Sequence, residues 1–129
     1  MVQSWLRLAA VLAVCACVCA SASTAVAQED AVARANRSAY DAAMTCFVAA
    51  GVAAGDFKKA GNVEKASALE GKARTSFDTA VRLGRSLGYT GEHMDEDFGL
   101  TQTRELPRMM SDTAYYRSEV AICKALGLM

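Results

Sequence analysis

The segment KAGNVEK, residues 59–65, decides how this chain folds, because it contains both the end of one helix and the start of the next. Glycine at position 61 accepts the left-handed backbone conformation with which many helices end. The side chain of Asn62 is suited to accept hydrogen bonds from the free amide groups of a following helix. The segment therefore predicts two helices joined by a tight turn, and so short a connection brings the second helix back antiparallel to the first.

On both sides of this turn, apolar residues recur at the three- and four-residue spacing of a helix with one buried face. Upstream, a stripe of small side chains lies beside one such face on the same helix and lets a neighbouring helix approach closely. The face contains Tyr40, Met44, Phe47, Gly51 and Ala54, and the stripe contains Ala39, Ala42, Cys46, Ala49, Ala50 and Ala53. Downstream, the pattern comprises Val63, Ala66, Leu69, Ala73, Phe77, Ala80, Val81, Gly84 and Leu87.

Two shorter helical patterns follow. Gly88 and Tyr89 end the second helix, and a third begins between Glu92 and Asp97, with an apolar face made of Met94, Phe98, Leu106, Met109 and Met110. Pro107 lies inside this pattern and removes one backbone hydrogen bond, so we expect it to kink the helix or restart it. Ser111 or Asp112 then caps a last helix.

No segment has the alternation typical of a strand, so the sequence predicts an all-α fold. We expect a compact antiparallel four-helix arrangement with helices at about 30–60, 62–87, 94–110 and 112–127. Asp30 is the expected cap of the first helix.

The first 27 residues have the organisation of an export signal. Arg7 supplies a positive start, an apolar run extends over residues 8–20, and Ala25-Val26-Ala27 provides the small residues that a signal peptidase recognises. We expect residues 1–27 to be a signal peptide that is cleaved before Gln28. The mature protein, residues 28–129, is then periplasmic or secreted.

Two alternatives to a cleaved signal are open. The apolar run is shorter than the roughly 20 residues that span a bilayer as a helix, although a stretch from Trp5 to Ala27 is long enough for an uncleaved anchor. A lipid attached at Cys17, which follows a small residue, is the other alternative. Contact with a membrane is therefore expected only through the N-terminal segment, and only if it is retained.

The expected mature chain is long enough for a single small domain. The whole sequence has 14 basic and 14 acidic residues, and only Arg7 falls in the signal, which leaves 13 basic against 14 acidic residues. Basic and acidic residues alternate along the chain and do not gather into a stripe. We therefore expect no nucleic-acid partner.

The cysteines divide unevenly between the two parts of the chain. Three of the five lie in the expected signal, and the mature chain keeps Cys46 and Cys123. An even pair in an oxidising compartment predicts one structural disulfide. A redox-active thiol pair is the alternative, but the C-x-x-C spacing typical of such pairs is missing.

The segment GEHMDEDFG, residues 91–99, places the only histidine among four acids. If the third helix has begun by Glu92, His93 and Asp97 lie one turn apart and can meet. They are then the candidate pair for weak binding of a divalent metal. The competing interpretation is that acids at a helix start complement the positive end of its dipole while the histidine is in water. Since that interpretation needs no further ligands, we expect no metal.

No catalytic constellation accompanies this histidine. The sequence contains no H-E-x-x-H, paired C-x-x-C or G-x-S-x-G motif, so zinc chemistry and serine hydrolysis both lack their usual partners. A haem held between a methionine and His93 is disfavoured, because His93 is expected near a loop and not inside the bundle. We expect no cofactor and no enzymatic activity.

Two classes of function fit these observations. The favoured one is a non-enzymatic exported module that binds an unknown protein partner or has a structural role, with Tyr89, Tyr115 and Tyr116 as candidate contact residues. The alternative is a helical bundle that binds a small ligand or a metal, in its interior or at the acidic segment around His93.

Three phrases in the second half of the chain are SFDTAVRLGRSLGYTG, DFGLTQTRELPRMM and AYYRSEVAICKALGL. They resemble small exported helical proteins of sphingomonad-type alphaproteobacteria that carry no assigned activity. The resemblance implies export and a helical fold, and it implies no mechanism.

Overall fold

The computed structural model describes the backbone of residues 2–129 and the side chains of residues 24–129. Four helices follow one another, with no strand in residues 2–129: α1 (Val2–Lys59), α2 (Val63–Ser86), α3 (Gly91–Ser111) and α4 (Thr113–Ala125). The predicted all-α class and the four-helix arrangement are confirmed.

The helices differ from those expected in three places. The helix expected to begin near residue 30 is part of a longer one, so Asp30 lies inside α1 and caps nothing. The reason is local, because the chain has no glycine before Gly51 and no proline before Pro107 that would interrupt an alanine-rich helix. The other two differences are in α3, which begins at Gly91, before the expected range of Glu92 to Asp97, and which continues through Pro107 to Ser111 without restarting.

The chain divides into two compact units, residues 1–35 and residues 36–129. Within the first unit, residues 2–35 are helical. Among the described residues, no helix is both long and apolar enough to cross a membrane. Most of the expected signal peptide lies outside the described side chains, and its cleavage stays a prediction.

The turns of the second unit have the cap chemistry that the sequence indicated. Three helices end at a glycine with φ between +72° and +79°: Gly61, Gly88 and Gly127. After the first, the amide of Asn62 donates to the carbonyl of Phe57 at 2.8 Å, and the same bond recurs after the other two glycines. Asn62 Oδ1 accepts from the amide of Lys65, and Asp112 Oδ1 accepts from the amide of Tyr115. Both predicted caps are confirmed.

Buried apolar residues in the second unit form two clusters. The Tyr40 cluster joins α1, α2 and α3, and its buried members are Tyr40, Ala43, Met44, Ala80 and Met94. The disulfide cluster joins α1, α3 and α4, and its buried members are Cys46, Val48, Ala49, Met109 and Cys123. Nine of the fifteen buried apolar residues described come from residues 40–54 of α1. This stretch, with its small side chains, is therefore the common packing surface of the other three helices.

The predicted disulfide is present in the second of these clusters. Cys46 and Cys123 are bonded at an S–S distance of 2.06 Å, and both are buried. The bond ties α1 to α4 across 77 residues of sequence.

Of the two glycines inside α2, only Gly84 has side chains of other helices packed closely against its backbone. A Cβ atom at this position would lie 2.5 Å from Sδ of Met94 and 3.0 Å from the ring of Tyr40. The missing side chain therefore creates the space in which the Tyr40 cluster packs against α2.

Some positions differ from the predicted core. Val63 and Met110 are 67% and 69% exposed, because they lie in the first and last turns of their helices, where fewer neighbours cover them. Three polar residues are buried instead: Ser76, Thr101 and Glu105. The hydroxyl of Ser76 donates to the carbonyl of Leu128 at 3.3 Å, which satisfies it.

Candidate functional site

The candidate pair His93 and Asp97 lies in the first turns of α3. The helix begins at Gly91, and the side chain of Thr90 caps it by accepting a hydrogen bond from the amide of His93 at 3.2 Å. His93 and Asp97 are therefore one turn apart, and His93 Nε2 lies 3.3 Å from Asp97 Oδ2. The third helix has therefore begun by Glu92, which was the condition for contact between His93 and Asp97, and the two side chains are in contact.

The same carboxylate oxygen has a second partner. The hydroxyl of Tyr40, which is 1% exposed, donates to Asp97 Oδ2 at 2.9 Å. Burial raises the pKa of Tyr40, and the hydrogen bond to Asp97 raises it further. The ring of Tyr89 contacts both Tyr40 and His93 edge-on, at centroid distances of 5.3 and 4.5 Å. Asp97 therefore links α3 to α1, and an incoming metal ion would compete with this link.

The surrounding acids add no ligands to the pair. Asp95 and Glu96 are exposed, and neither takes part in an ion pair within the described residues. No group of three histidine, cysteine, aspartate or glutamate side chains in the described part of the chain is placed to hold a metal. The arrangement supplies two ligands where a stable zinc site uses four.

A second charged cluster, which sequence reasoning missed, is built around Glu105 of α3. Glu105 is 4% exposed, and it accepts hydrogen bonds from the hydroxyl of Tyr115 and from Nε of Arg104. The guanidinium of Arg108 lies 3.6 Å from the ring centroid of Tyr115. A buried carboxylate is thus paired with one cation and one hydroxyl, as burial of a charge requires.

The environment shifts the pKa values of this cluster in opposite directions. Burial by itself raises the pKa of Glu105, but the hydrogen bonds from Tyr115 and Arg104 outweigh burial and hold it below its ordinary value. Burial and the hydrogen bond to Glu105 raise the pKa of Tyr115 to about 12. At neutral pH the carboxylate is therefore ionised and the phenol is protonated, which is a stable pairing and leaves neither group poised for proton transfer.

One signal in the sequence pointed to Glu105. Its spacing of four from both Thr101 and Met109 places it on the buried face of α3. A glutamate on an apolar helical face indicates a buried partner, although its partner Tyr115 lies on another helix and no pattern within α3 identifies it.

The three tyrosines considered for partner binding are all half-buried. Tyr89 packs in the Tyr40 cluster, and Tyr115 is held by Glu105 and Arg108. Tyr116 packs against the disulfide cluster, where burial raises its pKa and nearby Asp56 raises it further. Each ring therefore already has an intramolecular role.

A cluster of three phenylalanine rings, which the sequence did not indicate as a binding surface, lies where α1, α2 and α3 meet. The ring of Phe77 stacks on that of Phe98 at a centroid distance of 4.6 Å, and both contact Phe47. Phe77 remains 37% exposed and lines two shallow grooves. We name the Phe77 surface the following six of the α2 residues that line these grooves: Arg74, Phe77, Asp78, Val81, Arg82 and Arg85; Glu70, Ala73 and Ser86 of α2 line them as well.

The charges of the Phe77 surface are unbalanced. It contains three arginines and one aspartate, and none of the four forms an ion pair with another described residue. Glu70, which lies beside Arg74, is already paired with Lys58 at 2.6 Å. The surface therefore presents a partly exposed aromatic ring flanked by unpaired positive charge.

Comparison with known proteins identifies no relative, since no protein-family model, no curated protein and no solved structure matches the chain.

Proposed function

We propose that this chain is a small exported helical module that binds a protein partner and has no catalytic role. The observation that carries the proposal is the Phe77 surface, in which a 37% exposed phenylalanine is flanked by arginines without partners among the described residues. Aromatic residues and arginine are the side chains most enriched where proteins bind one another.

The scaffold supports this role. The Phe77 ring is fixed by its stacking on Phe98 and by its contact with Phe47, so little rotamer freedom is lost on binding. Two acids have internal hydrogen-bond partners: Glu105, which is buried, and Asp97, which is half-buried. Both acids are therefore engaged within the fold, and the Phe77 ring is held in place by its neighbours.

The chemistry of the surface defines the partner. The grooves are lined by three arginines, by Asp78 and by Glu70, which is paired with Lys58; this excess of positive charge favours a segment that carries carboxylates on either side of a large apolar side chain. We propose an acidic amphipathic segment of another exported protein, which inserts its apolar side chain beside Phe77.

Site-specific photo-crosslinking in cells that export the protein tests this proposal. A photoreactive phenylalanine analogue replaces Phe77 in one variant and Leu100 in a control variant, since Leu100 is an exposed apolar residue outside the Phe77 surface. We expect one adduct of defined mass from position 77 and none from position 100. We expect the adduct to disappear when Arg82→Glu and Arg85→Glu are combined with the crosslinker at position 77.

Three results would count against the proposal. If only free monomer is recovered from both variants, the proposal of a protein partner is wrong. If both positions give equal adducts, the proposal that the partner binds at the Phe77 surface is wrong. If the adduct still forms in the variant with both charge reversals, the proposal that the partner is acidic is wrong. Fractionation of the same cells tests the expected export, because mature protein in the cytoplasm would contradict it.

A further inference from the structure

A cavity separate from the Phe77 surface lies between α1, α2 and α4. Its volume is about 230 Å³, and its walls are apolar: Ala53, Phe57, Leu69, Tyr116, Val120 and Met129. Ala53 is buried at the floor, and the other five residues are half-buried. The cavity is therefore open on one side, with hydrocarbon and aromatic surface within.

Two cations lie at the opening of this cavity. Arg117 and Lys124 line it, both are exposed, and neither forms an ion pair with another described residue. Asp56 acts on the cavity wall, since it adds to the effect of burial in raising the pKa of Tyr116, and its carboxylate lies 3.8 Å from Nζ of Lys59. The opening of an apolar cavity is therefore lined by two cations that form no ion pair with another described residue.

This combination selects a molecule with one negative end and one hydrocarbon end. A space of 230 Å³ holds roughly eight groups of the size of a water molecule, at about 30 Å³ each, and a methylene group has a similar size. We propose that the cavity binds a medium-chain carboxylic acid of roughly eight carbons, with its carboxylate at Arg117 and Lys124 and its chain against Val120 and Leu69. The proposal is independent of the protein partner at Phe77.

Each part of the ligand has a defined physical role. Burial of the chain provides most of the affinity, at about 0.8 kcal/mol per methylene group, and the cations provide the preference for an anionic head. A neutral alcohol or an alkylamine of the same length therefore fills the cavity without making the charged contact. This difference makes the proposal testable with three small molecules.

Methyl NMR of the folded, disulfide-bonded protein measures the binding directly. We expect sodium octanoate to shift the methyl resonances of Val120, Leu69 and Met129 in a saturable manner, and to leave those of Val48 in the disulfide cluster unchanged. Octanol should bind roughly five- to tenfold more weakly, because it lacks the charge, and octylamine more weakly still. No saturable shift with octanoate, or equal affinity for octylamine, would overturn the proposal.

Matched variants assign the binding to the cavity. Lys124→Gln should weaken octanoate roughly fivefold, whereas Lys72→Gln, the same change at an exposed position of α2 outside the cavity, should not. Val120→Trp should abolish the shifts at Leu69 by filling the cavity, and circular dichroism checks that this variant folds. Equal effects of Lys124→Gln and Lys72→Gln would place the anion elsewhere.

Two other occupants are distinguished in the same experiment. If the cavity instead receives a side chain from a second copy, the resonances change with protein concentration in the absence of octanoate. If it receives the acyl chains of a bilayer, phosphatidylcholine vesicles broaden the same resonances. Either result would overturn the assignment to a free carboxylic acid.

Discussion

The Tyr40 cluster and the disulfide cluster are stabilised in different ways, although both are built on the same stretch of α1. The Tyr40 cluster depends on close packing, because the absence of a side chain at Gly84 lets Tyr40 and Met94 pack directly against the backbone of α2. The disulfide cluster is held by a covalent bond and lies beside a buried carboxylate with two hydrogen-bond partners. The comparison teaches that an alanine-rich helix needs either very close approach or a cross-link to hold its neighbours, since its own side chains bury little apolar area.

The largest effect is expected from removal of the cross-link. The double variant Cys46→Ala/Cys123→Ala should lose about 4 kcal/mol of unfolding free energy, because a closed loop of 77 residues restricts the unfolded chain strongly. Urea unfolding followed by circular dichroism measures the loss. An unchanged midpoint would show that the disulfide cluster does not depend on its covalent bond. Alkylation without reductant provides the control, since wild-type protein should then show no free thiol.

The next largest effect is expected at the buried carboxylate of α3. Glu105→Gln replaces charge-assisted hydrogen bonds by neutral ones and should lose about 2 to 3 kcal/mol at neutral pH. The matched control is Glu119→Gln, at a half-buried position of α4 whose side chain makes no hydrogen bond among the described residues, and it should change stability little. If both variants lose the same free energy, burial of Glu105 has no special role.

The pH dependence of stability follows from the same cluster. The pKa of Glu105 is lowered on folding, so its contribution is complete above the ordinary pKa of 4.5 and is lost as the pH falls through the folded value. The pKa of Tyr115 is raised from 10.0 to about 12, so its contribution is complete below pH 10 and is lost as the pH rises toward 12. Glu105→Gln should flatten the acid limb and Tyr115→Phe the alkaline limb of a plot of unfolding free energy against pH. If the acid and alkaline limbs of this plot have the same slopes in the variants as in the wild type, this assignment is wrong.

The Tyr40 cluster is tested with two glycines of the same helix. Gly84→Ala should lose about 2 kcal/mol, because the new methyl group overlaps Met94 and Tyr40. Gly71→Ala meets nothing within 4 Å and should gain about 0.5 to 1 kcal/mol, since alanine favours the helix. Thermal unfolding measures both. Equal shifts in melting temperature would show that close approach at residue 84 does not stabilise the cluster.

The smallest effect is expected from His93. Its ion pair with Asp97 is half-exposed, with 48% of the histidine side chain accessible, so His93→Ala should cost no more than about 0.5 kcal/mol. Calorimetric titration with zinc tests its remaining functional role. Binding at one ion per chain that His93→Ala abolishes would establish a metal site there.

The local features of the fold were predictable from the sequence, because the atoms that create them lie a few residues apart. Asn62 and Asp112 cap helices through amides three residues ahead, and Gly61 ends a helix through its own backbone freedom. The disulfide was predictable because only two cysteines were left after the expected signal. The start of α1 was not, since an apolar export sequence also favours a helix.

The non-local features were not predictable in the same way. Glu105 is stabilised by a tyrosine of the next helix, and Phe77 is exposed because its ring rests on Phe98 and does not reach the core. The contact between His93 and Asp97 was predictable from their spacing, but the link of Asp97 to Tyr40 depends on how α3 packs against α1. Such contacts join residues 10 to 57 positions apart, beyond the reach of helical periodicity.

The use of residues 40–54 by both clusters has a consequence for cooperativity. Neither cluster keeps its partners if this stretch of α1 leaves, because Tyr40, Met44, Cys46 and Ala49 supply one side of each. Detachment of this stretch therefore removes both clusters together, even though their energetic origins differ. We expect amide protons of α2 and α4, which do not share a cluster of buried residues, to exchange with solvent in a single all-or-none opening.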